Sequence, residues 1–151
     1  YGYKNFINKL ILCGIDGIIL PDLPMYDFKK YFKPSFDENN LSYISLVTPN
    51  TSDDRIKEID NLSNGFIYVV SSSSITGKES KFSKSQIEYF NRIKNINLSN
   101  PKIIGFGISD KKTFHNACKY SNGAIIGTSF IKSISRDNLK GSVIGFISNI
   151  R

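Results

Sequence analysis

The chain has 151 residues, of which 40% are hydrophobic and 22% are charged, and its formal net charge is +7. This composition is typical of a globular protein with one hydrophobic core and excludes an intrinsically disordered chain. No apolar run approaches the roughly 20 residues of a membrane span and no signal-peptide pattern opens the sequence, so we expect a cytoplasmic protein without a membrane partner.

The basic charge is spread along the chain. Lysines occur singly or in pairs, such as Lys29-Lys30 and Lys111-Lys112, and no strip combines them with aromatic residues. This pattern favours a solvated surface, so we expect no nucleic-acid partner. The single histidine, His115, and two isolated cysteines, Cys13 and Cys118, form no ligand pattern. We therefore expect buried thiols and no metal site.

The first elements predicted along the chain are a helix, a strand and a second helical stretch. Apolar spacing predicts a helix over residues 3–12, with Gly14 as its C-terminal cap. The apolar run 15–20 predicts a buried parallel strand that ends at Pro21-Asp22-Leu23-Pro24. Helical residues then extend to about residue 39, with a break or restart at Pro34.

Two more strands and two more helices are predicted in the middle of the chain. Residues 43–47 and 66–70 are the strands, and Thr51 or Ser52 caps the helix between them. Residues 71–83 are mostly small and polar, which predicts a mobile loop. A helix that contains Ile87 and Phe90 follows this loop.

The last third adds strands at residues 102–106 and 123–126. We expect Ser109 to cap the helix between them, a short helix to begin at Thr128, and Asp137 to cap the final helix. The inward face of the final helix is predicted to carry Leu139, Val143, Ile144 and Ile147.

Alternating strands and helices indicate right-handed βαβ units and a parallel sheet. Five units at about 30 residues each make five-eighths of the roughly 250 residues of a (β/α)₈ TIM barrel. We therefore expect an α/β fold in which residues 1–151 form a single, partial TIM-barrel domain, incomplete because its N-terminal strands are absent. A doubly wound sheet is the alternative, but its glycine-rich turn normally follows the first strand.

Two glycine-rich turns end the last two predicted strands. They are Gly105-Phe106-Gly107-Ile108-Ser109 and Gly123-Ala124-Ile125-Ile126-Gly127-Thr128-Ser129. Glycines at adjacent strand ends leave backbone amides unobstructed, and a TIM barrel binds phosphate after strands 7 and 8 at the start of a short extra helix. The sequence therefore predicts a phosphate site at this end of the sheet.

These turns, together with Pro21-Asp22-Leu23-Pro24, Thr48-Pro49-Asn50-Thr51 and the segment from Tyr68 to Gly77, resemble in their order the α subunit of tryptophan synthase. The resemblance covers nearly all of the chain and implies strands 4 to 8 of a TIM barrel. It also implies an activity, the retro-aldol cleavage of indole-3-glycerol phosphate to indole and glyceraldehyde 3-phosphate in L-tryptophan biosynthesis.

The resemblance assigns site residues by position. The substrate phosphate falls on Gly77, Gly107, Gly127 and Thr128, and the indole pocket on Ile19, Leu46, Tyr68 and Phe106. Thr76 matches a lid threonine that closes over substrate, whereas Ser72 stands where the family often has an arginine.

The catalytic glutamate and aspartate of the family fall upstream of Tyr1, so we expect the chain alone to be inactive. The implied partner is the tryptophan synthase β subunit in an αββα complex. No cofactor is expected here, because pyridoxal phosphate belongs to β.

Two other functions stay open. One is another phosphate-binding TIM-barrel enzyme, such as indole-3-glycerol-phosphate synthase or a ribulose-phosphate epimerase, although neither a catalytic lysine at a strand end nor metal ligands are evident. The other is a noncatalytic partner that binds a phosphate ligand and activates a β subunit.

Overall fold

The computed structural model describes residues 1–71 and 82–151, and within them five strands form one parallel sheet. The strands are β1 (Gly17–Ile19), β2 (Ser42–Val47), β3 (Ile67–Val70), β4 (Lys102–Gly105) and β5 (Gly123–Ala124). The helices are α1 (Tyr3–Leu12), α2 (Met25–Asp27), α3 (Lys33–Glu38), α4 (Asp53–Leu62), α5 (Lys84–Asn95), α6 (Lys111–Cys118), α7 (Thr128–Ser133) and α8 (Leu139–Ile150), and a π-helical segment, Phe28–Phe32, joins α2 to α3. No helix in this part of the chain is long and apolar enough to cross a membrane.

The strands are ordered β1-β2-β3-β4-β5, so each strand pairs with the next strand along the chain. A doubly wound sheet reverses its order at a switch point, and this sheet does not. The rising order of parallel strands is that of a partial (β/α)₈ barrel, which confirms the predicted fold class.

The register separates the sheet into two faces. Ile19 lies opposite Ile44, and Leu46 lies opposite Tyr68, so these side chains share one face. The alternate residues, including Val47, Val69 and Ile104, are fully buried on the other face. They pack in one core with residues of α4, α5 and α6, and the largest fully buried side chain of this core is Phe90, which is 0% exposed.

A second core lies beside β1 and β2. Phe28 of the π-helical segment stacks on Tyr43 with 3.8 Å between ring centroids, and meets Phe36 edge-on at 5.5 Å. Burial of these large rings holds the π-helical segment and α3 against the start of the sheet. The predicted break near Pro34 is therefore a π-helical segment, with Pro34 in the first turn of α3, where proline is tolerated.

Two of the predicted helix caps are wrong by one residue. Asp110, not Ser109, caps α6, and its carboxylate accepts a hydrogen bond from the Thr113 amide at 2.8 Å. Asn138, not Asp137, caps α8 through a 3.1 Å bond from the Gly141 amide. Ser, Asp and Asn cap helices about equally well, so adjacent candidates cannot be ranked by residue type.

The predicted inward face of α8 is also wrong for three of its four residues, and only Val143 is partly buried. Leu139, Ile144 and Ile147 are 58%, 55% and 46% exposed, because α8 packs on α6 and α7 through another face. That face includes Phe146, whose ring meets Phe130 at 5.3 Å. Cys13, expected to be buried, is exposed because it lies at the end of α1.

Candidate functional site

A cavity of ≈ 430 Å³ lies at the carboxyl ends of β3, β4 and β5. Its described walls come from β3 and from the turns after β4 and β5. They are formed by Tyr68, Phe106, Gly107, Ile108, Ser109, Ile125, Gly127, Thr128 and Ser129. Both the volume and the position are typical of a small-molecule site in a parallel α/β fold.

The turn after β4 has an unusual backbone. Phe106 and Gly107 have φ angles of 68° and 74°, in the left-handed region that a residue with a side chain adopts only at a cost. A β-carbon on Gly105 would overlap the Tyr68 phenol, so glycine is also required there. The tight turn leaves the Phe106 ring 52% exposed and edge-on to Tyr68, with 5.8 Å between centroids.

Several backbone amides of the cavity wall have no hydrogen-bond partner among residues 1–71 and 82–151. After β4 these are the amides of Gly107 and Ile108, whereas the Ser109 amide donates to Thr113 Oγ1 at 3.0 Å. Across the cavity, Thr128 and Ser129 open α7, where the first amides of a helix have no partner within the helix. Unpaired amides converging from two strand ends are a typical anion site.

Hydroxyl groups add to these donors. The side chains of Ser109, Thr128 and Ser129 line the cavity, and each hydroxyl lacks a partner in the described part of the chain. None of the described lining residues carries a carboxylate, an ammonium or an imidazole group. The wall can therefore bind an anion through neutral donors, but it offers no obvious group for proton transfer at neutral pH.

Gly127 lies between the donors and leaves room in front of them. A β-carbon placed on Gly127 would have no described atom within 4 Å. The fold itself therefore does not require glycine here, in contrast to Gly105. A ligand that approaches the amides of α7 would require it.

The predicted site residues fall into three groups. Gly107, Gly127 and Thr128 line one cavity with Tyr68 and Phe106. Ile19 and Leu46 share a sheet face with Tyr68 but are not among the described cavity walls. Thr76 and Gly77, like Ser72, lie outside the described residues.

Ser109 and Ser129 were not predicted as site residues. The sequence predicts Ser109 as a helix cap, but Asp110 takes that position and leaves the Ser109 hydroxyl at the cavity. Burial raises the pKa of the Tyr68 phenol, so the ring stays neutral and its hydroxyl can donate. The described residues contain no cluster of three or more His, Cys, Asp or Glu side chains that could hold a metal ion.

Comparison with known proteins gives one family. The sequence-family model of the tryptophan synthase alpha chain matches residues 1–145. The tryptophan synthase alpha chain of Flavobacterium johnsoniae is 50% identical over 151 residues, which cover 100% of this chain and 59% of the relative. That of Flavobacterium psychrophilum is 48% identical over 150 residues, with 99% and 59% covered. The chain thus spans about three-fifths of the length of these relatives.

Solved structures agree in fold. The tryptophan synthase A-subunit from Pyrococcus furiosus is 28% identical and superposes with a TM-score of 0.78. The superposition covers 99% of this chain and 60% of that chain. A chain of the tryptophan synthase a2b2 complex from the same organism has a TM-score of 0.81 at 28% identity, with 99% and 60% covered.

Proposed function

Because the chain belongs to the tryptophan synthase alpha chain family, we propose that it supplies the substrate-binding part of a lyase that cleaves indole-3-glycerol phosphate into indole and glyceraldehyde 3-phosphate. The observation that carries this proposal is the cavity at the strand ends. It combines unpaired backbone amides on two sides with two adjacent aromatic rings. These features match the two chemical parts of the substrate, a phosphate and an indole ring.

The phosphate would bind between the two turns. The amides of Gly107 and Thr128 and the Thr128 hydroxyl are donors, and Gly127 leaves space for the phosphate oxygens. Charge-assisted hydrogen bonds of this kind bind a dianion without a cationic side chain. Family resemblance adds Gly77 as a further phosphate residue.

The indole ring would lie against Tyr68 and Phe106. Their edge-on contact leaves part of the Phe106 ring open to the cavity, and aromatic rings prefer such offset or edge-on neighbours. Ile19 and Leu46 share the Tyr68 face of the sheet and would extend this apolar surface.

Proton transfer would come from elsewhere. Carbon–carbon cleavage requires a proton at the indole carbon and removal of one from a glycerol hydroxyl, which is work for a carboxylate pair. The described cavity walls contain no carboxylate. Family resemblance places that glutamate and aspartate before Tyr1. We therefore propose that this chain binds and orients the substrate, while a preceding segment of the full-length protein catalyses its cleavage. Thr76 would close over the bound substrate.

The proposed partner is a β subunit, which would receive the released indole and hold pyridoxal phosphate. Support comes from a similar chain in the a2b2 complex of tryptophan synthase. No cofactor is proposed for the chain itself.

The test is an assay of indole release from indole-3-glycerol phosphate, with a protein of the relatives' full length that contains this chain. We expect turnover by this protein and none by residues 1–151 alone. Glycerol 3-phosphate should inhibit competitively, because it fills the phosphate end of the cavity. Binding without any indole release by the full-length protein would favour the noncatalytic partner instead, and no binding would overturn both.

A further inference from the structure

Ser71 joins the ends of β3 and β4 through hydrogen bonds to residues 105 and 106, of which Phe106 lines the cavity. It follows the last residue of β3 and is 2% exposed. Its hydroxyl contacts two consecutive carbonyl oxygens, at 2.9 Å from Gly105 and 2.6 Å from Phe106. A buried hydroxyl has one proton to donate, and the shorter contact is the one to Phe106.

The two carbonyls do not depend on Ser71 in the same way. The Gly105 carbonyl also accepts the backbone amide of Ser71 at 3.1 Å, as a continuation of the strand pairing. The Phe106 carbonyl has the Ser71 hydroxyl as its donor among the described residues. Loss of the hydroxyl would therefore free the Phe106 carbonyl and leave Gly105 held.

The Phe106 carbonyl fixes the direction of the next amide. The described chain contains no cis peptide bond, so the Phe106 C=O and the Gly107 N–H lie antiparallel across one planar peptide. With the carbonyl held toward Ser71, the Gly107 N–H points away from Ser71. Gly107 forms part of the cavity wall.

We propose that Ser71 is a positioning residue for the phosphate site, because its hydroxyl holds the Phe106–Gly107 peptide in the orientation that presents the Gly107 amide to the ligand. This inference rests on the proposed function, which places the phosphate at that amide. Without the hydroxyl, the peptide at two left-handed residues is free to rotate toward more favourable backbone angles.

The test compares Ser71→Ala with wild type in a protein of the relatives' full length. Calorimetric titration with glycerol 3-phosphate should show affinity weakened about tenfold or more, the usual effect of losing a hydrogen bond to a charged group. Indole affinity should change less than twofold, because the Phe106 ring still packs on Tyr68.

A spectroscopic measurement separates positioning from general loss of structure. In wild type, glycerol 3-phosphate should shift the ¹⁵N–¹H signals of Gly107, Thr128 and Ser129. In Ser71→Ala the shift at Gly107 should be lost while those at Thr128 and Ser129 persist. Ser63→Ala is the matched control, since Ser63 is also buried and its hydroxyl has no partner in the described structure. It should bind like wild type.

Each outcome decides between the two claims. If wild type binds glycerol 3-phosphate and Ser71→Ala binds it equally with the Gly107 shift intact, the inference is wrong and the proposed function stands. If wild type does not bind, the proposed function is wrong as well. Should Ser71→Ala be too unstable to measure, Ser71→Cys, which keeps the volume but donates weakly, decides by the same criteria.

Discussion

The two ends of the sheet differ in whether their backbone amides have hydrogen-bond partners. At the amino ends of β3 and β4, Asp60 accepts hydrogen bonds from the amides of Ser99 and Asn100, at 2.7 and 3.0 Å, and from the Asn100 side chain at 2.8 Å. At the carboxyl ends, the amides of Gly107 and Ile108 have no partner among the described residues. The amides at the amino ends are paired within the protein, whereas those at the carboxyl ends are open to a ligand.

Lys102 and two asparagines complete the amino end. The ammonium of Lys102 donates to three carbonyls at the end of α5, the nearest being Ile96 at 3.0 Å. Asn64 and Asn122 accept from the amides of Tyr43 and Lys102, at 2.8 and 2.9 Å. Buried backbone amides are normally paired, so the paired amides of the amino end indicate a structural role and the unpaired amides of the carboxyl end indicate binding.

The largest expected effect is at the amino end. Asp60→Ala leaves the amides of Ser99 and Asn100 without their acceptor, although the Asn100 side chain keeps the Asp60 and Ser63 carbonyls. The free energy of unfolding should therefore fall by about 3–4 kcal/mol. Glycerol 3-phosphate affinity should not change in the folded protein. Denaturant unfolding measures the first and calorimetry the second. Asp54→Ala, at an exposed position of the same helix, should cost less than about 1 kcal/mol. Equal costs for the two variants would contradict the structural role of the amino end.

The next largest effect is a difference in stability between substitutions of two glycines at the carboxyl ends of the strands. Gly105→Ala places a β-carbon against the Tyr68 phenol and should destabilise by about 2 kcal/mol through overpacking. Gly127→Ala meets no described atom within 4 Å and should change stability by less than about 0.5 kcal/mol. Thermal unfolding of both variants is the measurement, and similar melting temperatures would show that the contact with Tyr68 is absent.

Gly127 should matter for ligand affinity although it matters little for stability. Gly127→Val projects into the space in front of the α7 amides and should weaken glycerol 3-phosphate binding about tenfold or more, equivalent to about 1.4 kcal/mol. A β-carbon at this position meets no described atom within 4 Å, and we expect circular dichroism to be unchanged. If this variant bound glycerol 3-phosphate as tightly as wild type, the phosphate would not bind at the start of α7.

The smallest effect distinguishes adjacent residues beside the cavity. Asp110→Ala removes the cap of α6 and should cost about 1 kcal/mol at neutral pH, whereas Ser109→Ala should cost almost none. Hydrogen bonding from Thr113 lowers the pKa of Asp110 below its ordinary 3.8. The stabilisation is therefore complete above pH 3.8 and is lost as the pH falls through the lowered value. Unfolding measured from pH 7 down to pH 2 should show the wild type and Asp110→Ala converging, and a constant difference would count against the charged cap.

Much of the fold could be predicted because each strand is an apolar run followed by a strong stop signal. Pro21 after β1 and Gly107 after β4 are such signals, and the order of elements is confirmed. The face of α8 could not be predicted, since Ile144 and Ile147 fit a helical period as well as the residues that do pack. Periodicity identifies a face but not what covers it.

The site was predictable to the extent that it depends on glycine. Gly107 and Gly127 were marked by turn chemistry alone, and the structure brings them together. The position of Ser109 at the cavity could not be predicted, because serine and aspartate cap helices about equally well. Ser71 gives no signal in the sequence, because its bond to Phe106 depends on the register of β3 against β4, in which Val70 lies opposite Gly105.

The most direct test of the difference between the two ends is a titration of the ¹⁵N-labelled full-length protein with glycerol 3-phosphate, followed by amide chemical shifts. We expect the largest shifts at Gly107, Ile108, Thr128 and Ser129, with negligible shifts at Ser99 and Asn100, whose amides already bond to Asp60. Shifts as large at the amino end as at the carboxyl end, or none at the four cavity amides, would contradict it.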